Sequence, residues 1–116
     1  MIFLVLFSVA SSKLTILSKE IQFQEYLKFN QSALEFRDDN PTAEYFEFKI
    51  ILPQNVTQNP FKMTAERNGS DLNGHFELRY GHILDRESIP FYHVIIEAFS
   101  ANGTVIDAEN FNITVS

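Results

Sequence analysis

Hydrophobic and polar residues alternate with a period of two through much of the chain. The clearest run is Tyr45–Leu52, where apolar side chains on one side alternate with Glu47 and Lys49 on the other. Residues 92–98 repeat the pattern, beginning with Tyr92. Because the apolar members are aromatic or β-branched, both runs are typical of strands with one face in a core.

Shorter apolar pieces with the same character predict further strands at residues 14–17, 21–24, 33–36, 61–64, 76–80 and 111–115. A turn is expected at residues 38–41, a hairpin at Asn102-Gly103, and polar loops at residues 53–60 and 66–74. No helical periodicity of useful length occurs. The pattern therefore predicts an all-β fold, a seven-stranded antiparallel Greek-key β-sandwich of the immunoglobulin-like kind. Its predicted core is Phe46, Phe48, Phe76, Leu78, Tyr92, Val94, Ile96, Phe111 and Ile113.

Composition narrows the classes of function. The 116 residues form one small domain, and twelve Phe within 45% hydrophobic content suffice for a packed core. A net charge of −6 argues against a nucleic-acid partner. The lack of cysteine excludes disulfides, thiol catalysis and cysteine-based zinc sites. His75, His82 and His93 match no zinc motif, and no nucleophile signature occurs, so we do not expect an enzyme.

Residues 1–12, MIFLVLFSVASS, are apolar and end in small residues, which predicts a secretory signal peptide. Residues 13–116 would then form the domain. The alternative is a buried N-terminal strand. This run is too short to span a bilayer and no later stretch could, so we expect a secreted protein or one on the extracellular face of the plasma membrane.

Five Asn-x-Ser/Thr sequons, more than the about one expected by chance, predict N-glycosylation. Their acceptors are Asn30, Asn55, Asn68, Asn102 and Asn112. All five fall in predicted loops, connections or outward strand positions, where a sugar can be accommodated. The alternative is an Asn-rich sequence with accidental matches.

Leu84-Asp85-Arg86-Glu87 places two carboxylates at positions i and i+2, on the same side of an extended segment. Carboxylate oxygens are ligands that Ca²⁺ prefers. Followed by the Tyr92 strand, this LDRE turn resembles the central signature of a cadherin repeat. The resemblance extends from about Glu25 to the end of the chain and includes the turn at residues 36–40.

The resemblance implies a first strand split or kinked between residues 14–17 and 21–24, and a calcium site between consecutive repeats. Its residues here would be Glu25, Asp85 and Glu87, with further oxygens from a following repeat, so calcium should bind weakly to this chain alone. The alternative is a solvated turn in which Arg86 pairs locally. Asp38 and Asn40 match a second, upper site, but Ser100 stands where the family has aspartate, and a plain turn is the better interpretation.

The resemblance therefore implies an extracellular cadherin-like module for cell adhesion or protein–protein recognition, with calcium linking it to an adjacent repeat. Its partner would be a protein, homophilic or heterophilic. The chain has no Trp, so the Trp-anchored strand exchange of classical cadherins is not open to it. The alternative is a free-standing, secreted, glycosylated β-sandwich binding protein with no role for calcium.

Overall fold

A computed structural model describes residues 14–16, 20–24, 34–54, 56, 59–79 and 82–116. The predicted signal peptide, Glu25, Asn30 and Asn55 lie outside these residues, so those predictions stay predictions. None of the described residues forms a helix long and apolar enough to cross a membrane.

The described residues form eight strands in two four-stranded sheets. In chain order these are β1 Leu14–Ile16, β2 Glu20–Phe23, β3 Leu34–Asp38, β4 Tyr45–Leu52, β5 Phe61–Asn68, β6 Asp71–Leu78, β7 Phe91–Phe99 and β8 Val105–Val115. The first sheet has the order β1-β3-β6-β5 and the second β2-β8-β7-β4. The two sheets pack face to face, which confirms the predicted all-β sandwich.

The first two strands belong to different sheets. β1 pairs antiparallel with β3, whereas β2 pairs parallel with β8, so that Phe23 stands opposite Val115. The split first strand expected from the sequence is therefore present. The remaining pairings are antiparallel as predicted, and β2–β8 is the parallel exception among the described strands.

Aromatic rings fill the space between the sheets. Phe76 is fully buried, and its ring centroid lies 5.1 Å from each of the rings of Phe48, Phe61 and Phe111. Seven of the nine predicted core residues are buried, and Phe48 and Leu78 are half-buried against the same cluster. Apolar burial of this kind is the main source of stability in a domain without disulfides.

The predicted polar loop at residues 66–74 is wrong, because these residues complete a hairpin. β5 continues to Asn68 and β6 starts at Asp71, with a turn at Gly69-Ser70 in which Gly69 has a φ of +65°. β5 is an edge strand, and its second half is exposed, so polar residues are tolerated there. In β6, Leu72 and Gly74 still alternate inward.

Three connections share one end of the sandwich, which we call the hairpin end: the turn after β3, the β5–β6 turn and the β7–β8 hairpin. Gly103 of the β7–β8 hairpin has a φ of +86°, and its N–H donates to the Ser100 carbonyl at 3.0 Å. The predicted Asn-Gly hairpin is therefore confirmed. The LDRE turn lies at the other end, where β7 begins.

Candidate functional site

The LDRE turn is organised by the Asp85 carboxylate. Its Oδ1 accepts the Glu87 N–H at 3.0 Å, and its Oδ2 accepts the Ser88 hydroxyl at 3.1 Å. The preceding Leu84 is buried and anchors the turn to the core, whereas Glu87 is exposed. Both Asp85 oxygens thus have a local role in shaping the backbone, as is usual for an Asx turn.

The predicted calcium ligands are only partly within the described residues. β2 ends near the LDRE turn, because Phe23 pairs with Val115 and the Val115 N–H donates to the Pro90 carbonyl at 3.0 Å. Glu25, two positions further, is outside the described residues. Asp85 and Glu87 supply two carboxylates, whereas Ca²⁺ needs about six to eight oxygens. No described group of three or more His, Asp or Glu is arranged to hold a metal.

A small cavity of about 370 Å³ lies beside this turn, lined in part by His82, Asp85, Ser88 and Tyr92. The Ser88 hydroxyl donates directly to Asp85. In a Ser-His-Asp triad the serine proton goes to the histidine instead. Burial raises the pKa of Tyr92, so its hydroxyl stays neutral. Among the described residues, the Ser88 hydroxyl therefore serves the turn.

At the hairpin end, the contacts of Asp38 confirm the turn predicted at residues 38–41, and its burial is a feature that sequence reasoning missed. Its Oδ1 accepts the Asn40 N–H at 2.8 Å, and Asn40 Oδ1 in turn accepts the Thr42 N–H at 3.0 Å. Yet Asp38 is completely buried. The signal was present in the alternation of β3, in which Leu34 and Phe36 are buried and Asp38 is the next inward position.

Asp38 of the first sheet meets Asp107 of the second. The two carboxyl groups interact across the sheets, and the Oδ2 atom of each is buried without a hydrogen-bond partner among the described residues. Burial, the hydrogen bond to Asp38, its charge and that of Asp39 raise the pKa of Asp107 to about 7. A hydrogen bond between two carboxyl groups requires one of them to hold a proton. The raised pKa of Asp107 therefore favours a proton on this carboxyl group, which would let it donate to Asp38 across the sheets.

A groove of about 850 Å³ lies against the first sheet. Its lining residues are Thr15, Glu35, Phe36, Arg37, Thr64, Ala65, Glu66, Asn73, Gly74 and His75. Strand register places Thr15, Arg37, Asn73 and Glu66 in one cross-strand row. Beneath the groove, on the core side of the sheet, the Phe36 ring occupies the space that a Cβ at Gly74 would need.

Charged side chains at one side of the groove contact each other, whereas Arg37 at the other side has no such partner among the described residues. His75 Nε2 lies 3.0 Å from Glu77, which also contacts Lys62 Nζ at 3.0 Å. The Lys62 hydrogen bond is the main reason that the pKa of Glu77 is lowered. Arg37 forms no ion pair with any described residue, and its register neighbours are the neutral Thr15 and Asn73. The groove thus presents a guanidinium beside a hydroxyl and an amide.

The three described sequons differ in accessibility. Asn68 and Asn102 are exposed at the β5–β6 and β7–β8 turns. Asn112 is half-buried on β8, where its Oδ1 lies 2.6 Å from His93 Nδ1 and its Nδ2 donates to Glu20 at 3.4 Å. A sugar on Asn112 would therefore compete with an existing side-chain contact, unlike one on Asn68 or Asn102.

Comparison with known proteins finds that the fold is similar to that of several adhesins. No family model and no curated protein matches the chain. Among solved structures, the sialic acid binding region of a Streptococcus sanguinis SK1 adhesin, bound to 3'sLn, is similar over 91% of this chain and 30% of its own (TM-score 0.58, 14% identity). The SrpA adhesin of Streptococcus sanguinis is similar over 90% of this chain and 56% of its own (TM-score 0.51, 15% identity). A mutant of SrpA is similar over 91% of this chain and 58% of its own (TM-score 0.50, 14% identity).

The chain thus spans between 30% and 58% of the length of these three structures. Identities of 14–15% show a shared fold alone. The β-sandwich is therefore supported by both the strand topology and the neighbours, whereas function has to be argued from the surfaces of this chain.

Proposed function

We propose that this chain is an extracellular adhesion module that binds a glycan through the groove on the first sheet. The observation that carries the proposal is Arg37, a charged donor that forms no ion pair within the described part of the chain and is set in the groove between Thr15 and Asn73. The rims add carboxylate acceptors from Glu35 and Glu66. Sugars are recognised by such mixed sets of donors and acceptors, since each hydroxyl both gives and accepts hydrogen bonds.

The volume of the groove and the structural neighbours support the same function. A groove of about 850 Å³ falls in the range of roughly 300–1,000 Å³ that is typical of ligand sites, and can receive a short oligosaccharide. The structural neighbours are adhesins, one of them described as a sialic acid binding region. That likeness supports an adhesion module by analogy of fold, and the ligand is inferred from the groove.

A glycan-binding assay with matched arginine variants tests the proposal. The secreted protein is applied to an oligosaccharide array that includes neutral and acidic sugars, beside Arg37→Gln and Arg86→Gln. Arg86 lies in the LDRE turn, at the other end of the sandwich. Arg37→Gln should lower the affinity for bound sugars about tenfold or more, because a charged hydrogen bond is worth about 1.5–3 kcal/mol. Arg86→Gln should bind as the parent does.

Absence of binding to any sugar, or equal losses in the two variants, would contradict glycan recognition by this groove. Melting curves of both variants supply the control for folding. Arg37 is exposed on an outer face, so its loss should leave the melting temperature nearly unchanged. An unfolded Arg37→Gln would show that the residue has a structural role instead.

The second candidate is a calcium-linked module that contacts another protein. It is favoured by one observation: the end of β2, which leads to Glu25, lies beside the LDRE turn that carries Asp85 and Glu87. A following repeat would have to supply the missing oxygens, in keeping with the cadherin resemblance of the sequence. A protein with no role for calcium remains the alternative, and a calcium titration separates the two.

A further inference from the structure

The second sheet carries an exposed aromatic surface at the hairpin end. Tyr45, Phe99 and Val105 stand in one cross-strand row of β4, β7 and β8. The rings of Tyr45 and Phe99 are stacked, with centroids 5.0 Å apart and planes 3° from parallel. Tyr45 is 39% and Val105 45% exposed. Large apolar side chains grouped on a surface favour a covering partner, because covering removes them from water.

The β7–β8 hairpin places a sequon directly beside this aromatic surface. Its loop continues from Phe99 and returns at Val105, with Asn102-Gly103 at the tip. A Cβ built on Gly103 would lie 3.9 Å from the Tyr45 hydroxyl oxygen. The Tyr45 side chain therefore extends along the outer face to the loop, and Asn102 directly precedes Gly103 in that loop.

The hydrogen bonds of Asn102 leave its sugar-accepting atom available. Its Oδ1 accepts the Ser100 hydroxyl at 2.5 Å and the Thr104 N–H at 3.1 Å, which fixes the amide on the hairpin. No described residue accepts a hydrogen bond from Asn102 Nδ2. At Asn112, by contrast, Nδ2 already donates to Glu20. Asn102 is thus held in one orientation with its nitrogen unoccupied.

We infer that a glycan attached to Asn102 folds back so that its first N-acetylglucosamine covers Tyr45 and Phe99. A sugar ring has an apolar face of C–H groups that can pack on an aromatic ring. The covalent tether makes this contact intramolecular, so a weak attraction is enough to populate it. The outer face of the second sheet would then be shielded by carbohydrate at this end, while the groove on the first sheet stays open. The inference depends on passage through the secretory pathway, and is independent of what the groove binds.

The test uses protein secreted from a eukaryotic host and trimmed by an endoglycosidase to a single N-acetylglucosamine at each site. Peptide mass determines whether Asn102 is occupied. NMR then locates the acetyl methyl signal of that sugar, identified by its loss in Asn102→Gln. Packing on the rings should shift the signal upfield of its position in the free sugar. Tyr45→Ser should return it to that position, because the ring that causes the shift is gone.

The sugar on Asn68 is the internal control, since it lies on the other sheet and its signal should not respond to Tyr45→Ser. Thermal melting gives a second measurement: removing the Asn102 sugar should lower the melting temperature of the parent protein but not that of Tyr45→Ser. An unoccupied Asn102, or an acetyl signal unaffected by Tyr45→Ser, would overturn the inference. Equal changes in melting temperature in the two backgrounds would overturn it as well.

Discussion

The raised pKa of Asp107 predicts that the domain becomes less stable as pH rises through neutrality. Asp107 has its pKa raised from 3.8 to about 7 in the folded protein, mainly by burial and then by Asp38. Between these values the folded state holds a proton that the unfolded state releases. Stability from this proton is therefore complete below about pH 4 and is lost as pH rises through about 7.

The magnitude follows from the size of the shift. Roughly three pKa units at about 1.4 kcal/mol each give about 4 kcal/mol as an upper limit. Asp107 is half-buried, so part of this energy is lost to solvent screening, and we expect about 2 kcal/mol between pH 5 and pH 8. The half-buried Glu77, whose pKa is lowered, contributes to stability with the opposite sign below about pH 4.5, outside this window.

Asp107→Asn is the informative variant. An amide at this position can donate to the Asp38 carboxylate without a titrating proton, so the variant should lose most of the pH dependence. It should be more stable than the parent at pH 8 and similar to it at pH 5. Asp39→Asn is the matched control, because Asp39 is exposed and affects Asp107 through charge alone. Urea unfolding at pH 5 and pH 8 measures all three proteins, and a parent that gains stability from pH 5 to pH 8 would refute the raised pKa of Asp107.

Three further predictions concern the core, its closest packing and calcium. Phe76→Ala should cost about 3–5 kcal/mol in urea unfolding, because it removes the ring that contacts three others; a loss below about 1 kcal/mol would show that the packing is wrong. Gly74→Ala should cost about 1–3 kcal/mol, since its methyl group would occupy the space of the Phe36 ring, and a neutral result would contradict that contact. Calcium titrated against this chain should bind in the millimolar range or more weakly, as followed by amide NMR, with any shifts lost in Asp85→Asn. Tight binding that survives Asp85→Asn would reject the LDRE turn as the site.

Sequence reasoning reached the sandwich because its strands carry one-sided patterns. In Tyr45–Leu52 and residues 92–98, one set of alternate apolar positions does face the core or pack against it: Phe46, Phe48, Ile50, Tyr92, Val94, Ile96 and Ala98. It failed for the second half of β5. This part of the edge strand is exposed on both faces, so its sequence shows no alternation of apolar and polar residues. Polarity there reflects exposure, and a loop and an exposed strand look the same in one sequence.

The candidate site was less accessible to prediction, because it depends on which strands become neighbours. Thr15, Arg37 and Asn73 are far apart in the chain and have no common motif, and register alone brings them into one row. Asp38 and Asp107 likewise meet across two sheets. The available signal was that Asp38 occupies an inward position of β3. The turn residues that follow it favoured a turn instead.

The most direct test of the binding groove is a map of amide NMR shifts during titration with an oligosaccharide that the array identifies. The proposal predicts saturable shifts centred on Thr15, Arg37 and Asn73, with the outer face of the second sheet unaffected. The same titration of Arg37→Gln should need a much higher sugar concentration to saturate. Shifts centred on the LDRE turn or on the Tyr45–Phe99 pair, with none in the groove, would contradict recognition by the first sheet.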